Sequence, residues 1–227
     1  QRVIIDLKNE KKWNQIIAMG DKFLDVAASD DFTENALVIA YAETNNTRGF
    51  ATYGEKAYAH KPSTALAMEI SRAYQRLGND AKYNQWREKV LAQDPENIDI
   101  LIDMTQRYSA SQNIAQALKY AKMCLKALPT ATKPAEMNAQ AWKSKVDSGY
   151  AVAYGLIGAN AYQNNNFTEA ITNFASSVKY YKNNDSAYYH MGLSYWRQNK
   201  LDPAMLNFAK AYLLRGATSA AAKKYLD

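Results

Sequence analysis

The chain has 227 residues, of which 48% are hydrophobic and 22% charged, as in an ordinary folded protein. No apolar run approaches the roughly 18 residues that a membrane-spanning helix needs, and a single cysteine excludes an intrachain disulfide. The net charge of +6 is unevenly placed, because residues 1–97 hold 13 Lys/Arg against 14 Asp/Glu and residues 98–227 hold 15 against 8. A solvated surface with lysines on the outer helix faces is the simpler interpretation of this excess, and an acidic partner drawn by long-range attraction is the alternative.

The first predicted element is a helix from about Glu10 to Ala28. Apolar residues on it recur three and four positions apart, as Trp13 and Ile16 do, which is the spacing of one helix face. We expect this helix to be the second of a pair whose first helix is largely missing. Residues 1–30 would then form a partial repeat.

Two helix pairs are predicted next, at residues 31–63 and 64–97. A turn signal at Asn45 and Asn46 divides the first pair. Each pair ends near a proline, at Pro62 or Pro95. Proline is common just past the end of a helix because it cannot continue one.

A further pair is predicted at residues 98–131, after which the regular spacing fails. An additional stretch, residues 132–150, precedes the next pair. Its apolar residues continue one helix face, which predicts a single long helix from about Lys133 to Gln163. A break at residues 147–149, giving two shorter helices, is the alternative.

The stretch from 151 to 216 repeats itself at a spacing of about 34 residues. Four positions recur in register, Tyr154, Gly158, Ala170 and Phe174 as Tyr188, Gly192, Ala204 and Phe208. A glycine inside a helix costs about 1 kcal/mol relative to alanine. We therefore expect both glycines where a neighbouring helix comes too close for a side chain, and the two phenylalanines between repeats.

This pattern of aromatic, Gly, Ala and Phe positions resembles the tetratricopeptide repeat (TPR), a helix–turn–helix unit of about 34 residues. The resemblance implies an all-α fold, an α-solenoid or superhelix of antiparallel helix pairs that each pack on their neighbours. The predicted organisation is a partial repeat at 1–30, repeats at 31–63, 64–97 and 98–131, a helical insertion at 132–150 that extends the next helix, repeats at 151–184 and 185–216, and a C-terminal capping helix at 217–227.

No catalytic, cofactor-binding or metal-binding residue is predicted, so we expect a protein that is not an enzyme and needs no cofactor. His60 and His190 are the only histidines, and the sequence places no second ligand near either at the spacing of a metal site. Gly155 and Gly158 lie within a predicted helix, without the strand–loop–helix context of a phosphate-binding loop. Cys124 occupies a small-residue position and is expected to be a buried thiol.

In TPR proteins the first helix of each repeat lines a concave groove, which commonly binds a peptide or a helix of a partner. The resemblance therefore implies a non-catalytic scaffold that binds a peptide or a partner-protein segment there. Aromatic, Arg and amide side chains outside the repeat pattern are the candidate contacts, because Tyr, Trp and Arg dominate binding energetics. These candidates are Arg72, Gln106, Tyr162, Tyr189, Trp196 and Arg197.

Two other functions remain open. Nucleic acid could bind the basic half, although it is the less favoured partner because most tyrosines occupy repeat positions rather than a stacking surface. A helper subunit in a cell-envelope assembly is the other, since the chain begins at Gln1 without Met, as it would after removal of an export signal. Exported and cytoplasmic locations both remain open.

Overall fold

The structure, a computed structural model, describes residues 1–26 and 30–227 of the chain. All regular elements in these two ranges are helices, and none of them is long and apolar enough to cross a membrane. The chain divides into two compact units, Gln1–Pro95 and Glu96–Asp227.

In its described residues, the first unit contains six helices that contact one another in chain order. They are α1 (Arg2–Asn9), α2 (Trp13–Val26), α3 (Asp31–Glu43), α4 (Thr47–His60), α5 (Thr64–Arg76) and α6 (Asp80–Gln93). Helix α1 was not predicted, and the predicted end of the following helix, at Ala28, lies outside the described residues. The core at the start of this unit forms around Ile16, Leu37 and Ala40, which are fully buried.

The second unit, which is described throughout, contains seven helices that also contact one another in chain order. They are α7 (Ile98–Ala110), α8 (Ile114–Ala127), α9 (Ala139–Gln163), α10 (Phe167–Tyr180), α11 (Asp185–Arg197), α12 (Leu201–Leu213) and α13 (Ser219–Lys223). Helix α9 additionally contacts α7 and α11, so these three first helices lie side by side. The predicted all-α architecture of consecutive helix pairs is confirmed.

A left-handed residue marks the turn inside each helix pair. The residues with positive φ at these turns are Lys11, Asn45, Gly78, Gln112, Asn165 and Asn199. Successive turn residues keep the repeat period of about 34 residues, except between Gln112 and Asn165, where the insertion lies. Asn and Gly tolerate this conformation best, which explains why they supply most of these turns.

The inserted residues lengthen α9, which is one unbroken helix through residues 147–149. Two shorter helices, the alternative, are therefore not formed. The prediction that this helix begins at Lys133 is wrong, because it begins at Ala139. Asn138 caps it by accepting the Ala141 N–H at 2.8 Å, and Asn is a preferred cap because its side chain satisfies a free amide of the first turn.

The close approaches expected at the two repeated glycines are confirmed. A Cβ at Gly158 would lie 3.0 Å from the Phe174 ring, and one at Gly192 would lie 2.6 Å from the Phe208 ring. Cys124 is buried as expected. Burial raises the pKa of its thiol to about 12, so the thiolate is not available as a nucleophile or a metal ligand near neutral pH.

Candidate interaction groove

A groove of about 870 Å³ in the second unit is lined by residues of α7, α9, α10 and α11 and of the α10–α11 connection. We call it the α9 groove, because residues from Ser144 to Ala159 of that helix line it along its length. All of its lining residues belong to the second unit. A groove of this size lies within the usual range of about 300–1,000 Å³ for ligand sites.

The length of α9 contributes to this groove. Helix α9 has 25 residues, whereas α7 and α11 have 13 each. At 1.5 Å per residue the difference is roughly 18 Å. The added N-terminal turns carry Ser144, Asp147 and Ser148 into the lining, so the inserted residues supply part of the groove.

The lining is mainly apolar and nearly free of charge. Small and branched apolar residues of α9 and α11 contribute Ala151, Val152, Gly155, Leu156, Ala159 and Ala187. Uncharged polar side chains contribute Thr105, Gln106, Ser109, Ser144, Ser148 and Ser186. Asp147 is the one carboxylate among the lining residues, and no Lys or Arg is among them.

Hydrogen bonds join α9, α10 and α11 next to residues that line the groove. The Ser177 hydroxyl donates to the Ala151 carbonyl at 2.8 Å, and the Asn184 amide donates to the Ser177 hydroxyl at 3.2 Å. The Asn184 carbonyl oxygen also accepts the Ala187 N–H at 3.0 Å, which caps α11. These bonds link α9, α10 and α11, so this part of the groove is fixed before any ligand binds.

His190 lies in the groove wall among aromatic rings. Its ring centroid is 5.5 Å from those of Tyr162 and Phe174 and 5.4 Å from that of Tyr189. The Nδ1 atom lies 2.7 Å from the Ser186 carbonyl oxygen. Because a carbonyl only accepts, Nδ1 carries the hydrogen, and Nε2 of the neutral ring is an acceptor.

Tyr180, which lines the groove, belongs to a stack of tyrosine rings. Tyr180 stacks on Tyr150 with ring centroids 4.4 Å apart, and Tyr154 stacks on both at about 6 Å. Burial, followed by the neighbouring Tyr180, raises the pKa of Tyr150, so this hydroxyl stays neutral near pH 7. Tyr181 also lines the groove and is 54% exposed, as suits a side chain that contacts a partner.

Of the six candidate contacts predicted from the sequence, Gln106 lines the α9 groove. Tyr162 and Tyr189 lie behind the wall, where both rings pack against His190. Trp196 packs its edge on Tyr225 and is 44% exposed. The structure does not gather these side chains into one cluster.

The two arginines among the candidates lie elsewhere. The Arg197 guanidinium lies over the Phe167 ring at 5.9 Å. Arg72 belongs to the first unit, where its guanidinium pairs with Glu69 one turn earlier on α5. Neither side chain lines the α9 groove.

The sequence did not identify Val152, Leu156, Tyr180 and Tyr181 as groove residues. Val152, Leu156 and Ala159 are spaced four and three positions apart, which is a helix-face signal. That signal says which residues share a face, but not which other helix the face meets. Tyr180 and Tyr181 come from the end of a second helix, which the repeat pattern assigns to the opposite side.

His60 acquires partners that the sequence did not reveal. Its Nδ1 lies 3.2 Å from an Asp31 carboxylate oxygen, and its Nε2 lies 3.1 Å from Glu34 Oε2. The two acids are in the first turn of α3, and His60 ends α4. This cluster lies in the first unit and is separate from the α9 groove.

Searches with protein-family models and among curated proteins find no match. Among solved structures, the chain is similar to YrrB, titled a TPR protein with an unusual peptide-binding site, with a TM-score of 0.57 over 90% of this chain and 97% of that one. The chain has the TPR fold. It is also similar to the MamA protein, with a TM-score of 0.54 over 84% of this chain and 94% of that one. Sequence identity is 14% to YrrB and 13% to MamA, so the likeness concerns the fold.

Proposed function

We propose that this protein is a non-catalytic interaction scaffold whose α9 groove binds a peptide or an extended segment of a partner protein. The observation that carries the proposal is the groove itself. It has a volume of about 870 Å³, and its lining is largely apolar and comes mainly from the first helices of adjacent pairs. The similarity to YrrB, described as a TPR protein with an unusual peptide-binding site, supports the same proposal.

The lining favours a peptide of low charge. An extended peptide must satisfy its backbone N–H and C=O groups, and Gln106, Ser109 and Ser148 offer uncharged donors and acceptors along the groove. The small residues of α9 in the lining leave room for apolar side chains of the peptide. Tyr181, an exposed aromatic that lines the groove, is of the type that contributes most at interfaces.

The same lining gives no support to nucleic acid as the occupant of the groove. Binding of a phosphate backbone relies on Lys and Arg, and none lines the groove. The affinity for a peptide in an uncharged groove should change little with salt, whereas the affinity for nucleic acid falls steeply. Salt dependence therefore separates the two functions.

The test begins with peptides selected for binding to the whole chain from a displayed library. Their affinities are then measured by calorimetry for the wild type, Leu156→Glu and the matched control Leu206→Glu. Leu156 is half-buried in the groove, and Leu206 is 56% exposed on α12, outside it. We expect a loss of affinity of at least about tenfold, or about 1.4 kcal/mol, for Leu156→Glu and little change for Leu206→Glu.

A second groove variant distinguishes loss of peptide binding from loss of folding. Ser148 is exposed and lines the groove, so Ser148→Arg should obstruct the groove without disturbing the core. Thermal unfolding verifies that each variant is folded. Selected peptides that bind both groove variants as tightly as the wild type would refute the proposal.

A further inference from the structure

The cluster of Asp31, Glu34 and His60 combines side-chain types that bind zinc through nitrogen and oxygen. One ligand atom from each of the three residues can be chosen so that all lie within 4.8 Å of one another. The residues come from two helices, so the cluster exists only in the folded first unit. It differs from an ordinary surface pair because one of its carboxylates is buried.

Glu34 is the unusual member. Its side chain is 2% exposed, and in the part of the chain that the structure describes, no hydrogen bond reaches its Oε2 atom. Burying a carboxylate without compensation is costly, so buried charges are normally paired or bind a metal. The unsatisfied Oε2 is also the atom that points at His60 Nε2, 3.1 Å away.

The separation of two of the ligand atoms is close to that in a tetrahedral zinc site. Zinc lies about 2.0–2.2 Å from imidazole nitrogen and carboxylate oxygen, which in a tetrahedron separates two ligand atoms by roughly 3.3–3.6 Å. The 3.1 Å between His60 Nε2 and Glu34 Oε2 is slightly shorter, so the two side chains move apart by a few tenths of an ångström, on the order of 0.2–0.5 Å, to admit the ion. The Asp31 carboxylate lies 3.2 Å from Nδ1, the other ring nitrogen, and its side chain is 68% exposed, so it has to rotate away from Nδ1 to reach the same ion.

The charge of the three side chains also suits a divalent cation. Two carboxylates and a neutral imidazole carry two negative charges, which a divalent cation balances. The imidazole ligand favours zinc or another first-row transition metal, whereas Mg²⁺ prefers oxygen ligands in octahedral geometry. Three protein ligands leave a fourth position for water.

We propose that Asp31, Glu34 and His60 form a Zn²⁺-binding site that joins the first turn of α3 to the last turn of α4. The ion takes one ring nitrogen of His60 and one oxygen from each acid. Because the three ligands come together only in the folded chain, metal binding stabilises the first unit.

The sequence allows a clean test, because the chain has two histidines and one cysteine, Cys124, which is buried. Thermal unfolding of the whole chain is followed with and without ZnCl₂, and binding is measured by calorimetry. The variants are His60→Gln, Glu34→Gln and the matched control His190→Gln. We expect Zn²⁺ to raise the melting temperature of the wild type and of His190→Gln, since a ligand that binds only the folded state stabilises it.

His60→Gln and Glu34→Gln should each abolish the zinc response. Because Glu34 is buried, Asp31→Asn provides a variant at an exposed ligand, and it should weaken zinc binding without affecting the fold. Absence of a zinc effect in the wild type, its persistence in His60→Gln, its loss in His190→Gln or an equal response to Mg²⁺ would each overturn the proposal.

Discussion

Glycines at the contacts between paired helices differ in how much space surrounds them. A Cβ would lie 2.6 Å from the Phe208 ring at Gly192, 3.0 Å from the Phe174 ring at Gly158 and 3.4 Å from the Ser177 hydroxyl at Gly155. Phe208 and Phe174 are both buried and have little room to move. The three positions therefore form a graded series in which helix propensity opposes steric crowding.

The three alanine substitutions should follow that series. Gly192→Ala is expected to destabilise the protein by about 1–3 kcal/mol through overpacking. Gly155→Ala should stabilise it by up to about 1 kcal/mol, because alanine is the better helix former, and Gly158→Ala should fall between them. Urea unfolding measures all three, and a Gly192→Ala variant as stable as Gly155→Ala would contradict the steric explanation.

Glu55 is the centre of a hydrogen-bond network in the first unit. Its Oε1 accepts from the Tyr74 hydroxyl at 2.8 Å, the Lys82 ammonium at 2.9 Å and the Trp86 indole at 3.0 Å. Burial raises the pKa of Glu55, but the bonds from Lys82, Trp86 and Tyr74 outweigh it and hold the pKa below 4.5. Burial, together with the bond to Glu55, raises the pKa of Tyr74 to about 12.

Glu55→Gln should lower the free energy of unfolding by about 1–2 kcal/mol at neutral pH, because it weakens hydrogen bonds to a charged group. Since the pKa of Glu55 is lower in the folded state, its contribution is present above about pH 4.5 and is lost as pH falls through the folded value. Urea unfolding from neutral pH into acid should thus show the penalty shrinking. Glu43→Gln, at an exposed residue of α3, is the control, and a pH-independent penalty would argue against the network.

At the scale of elements, α13 is stabilised by contacts with other helices, because it is too short to be stable alone. It has five residues, too few for an isolated helix to be stable in water. Asp185 of α11 accepts both the N–H and the hydroxyl of Thr218 at 2.8 Å, and Tyr225 stacks on Phe208 with centroids 4.3 Å apart. Burial raises the pKa of Asp185, but the bonds from Thr218 outweigh it and leave the pKa below 3.8.

Asp185→Asn should therefore loosen α13 by about 1 kcal/mol, seen as faster amide hydrogen exchange after Gly216. In the wild type this contribution is present above about pH 3.8 and is lost as pH falls through the lower folded pKa. Thr218→Ala removes the hydroxyl bond but keeps the N–H bond, so its effect should be smaller, and the double variant should cost less than the two single effects added together because they share the hydroxyl bond. Additive effects would show that the two side chains act separately.

At the scale of the whole molecule, the fold is a series of neighbouring helix contacts within two compact units. In arrays of this kind stability is approximately a sum of local terms. A substitution is then felt chiefly in the unit that contains it.

Residue-resolved hydrogen exchange should show this locality. Glu55→Gln is expected to lower amide protection within Gln1–Pro95, and Gly192→Ala within Glu96–Asp227. The reason is that partial opening of a unit costs less than unfolding the whole chain. Equal loss of protection across both units for either variant would instead indicate a single cooperative transition.

The sequence by itself determined the repeating parts of this protein. The repeat period, the turn residues and the Gly–Phe pairs predict helix pairs and their close contacts, because these depend on residues near one another in the chain. It also predicted one long α9, although that helix begins at Ala139 rather than at Lys133.

Only the tertiary structure decided the candidate sites. The α9 groove gathers residues from four helices, and of the six predicted contacts Gln106 alone lines it. His60 at the end of α4 meets Glu34 at the start of α3. These contacts depend on the rotation of each helix about its axis relative to its neighbours. The periodicity of a single helix does not specify that rotation.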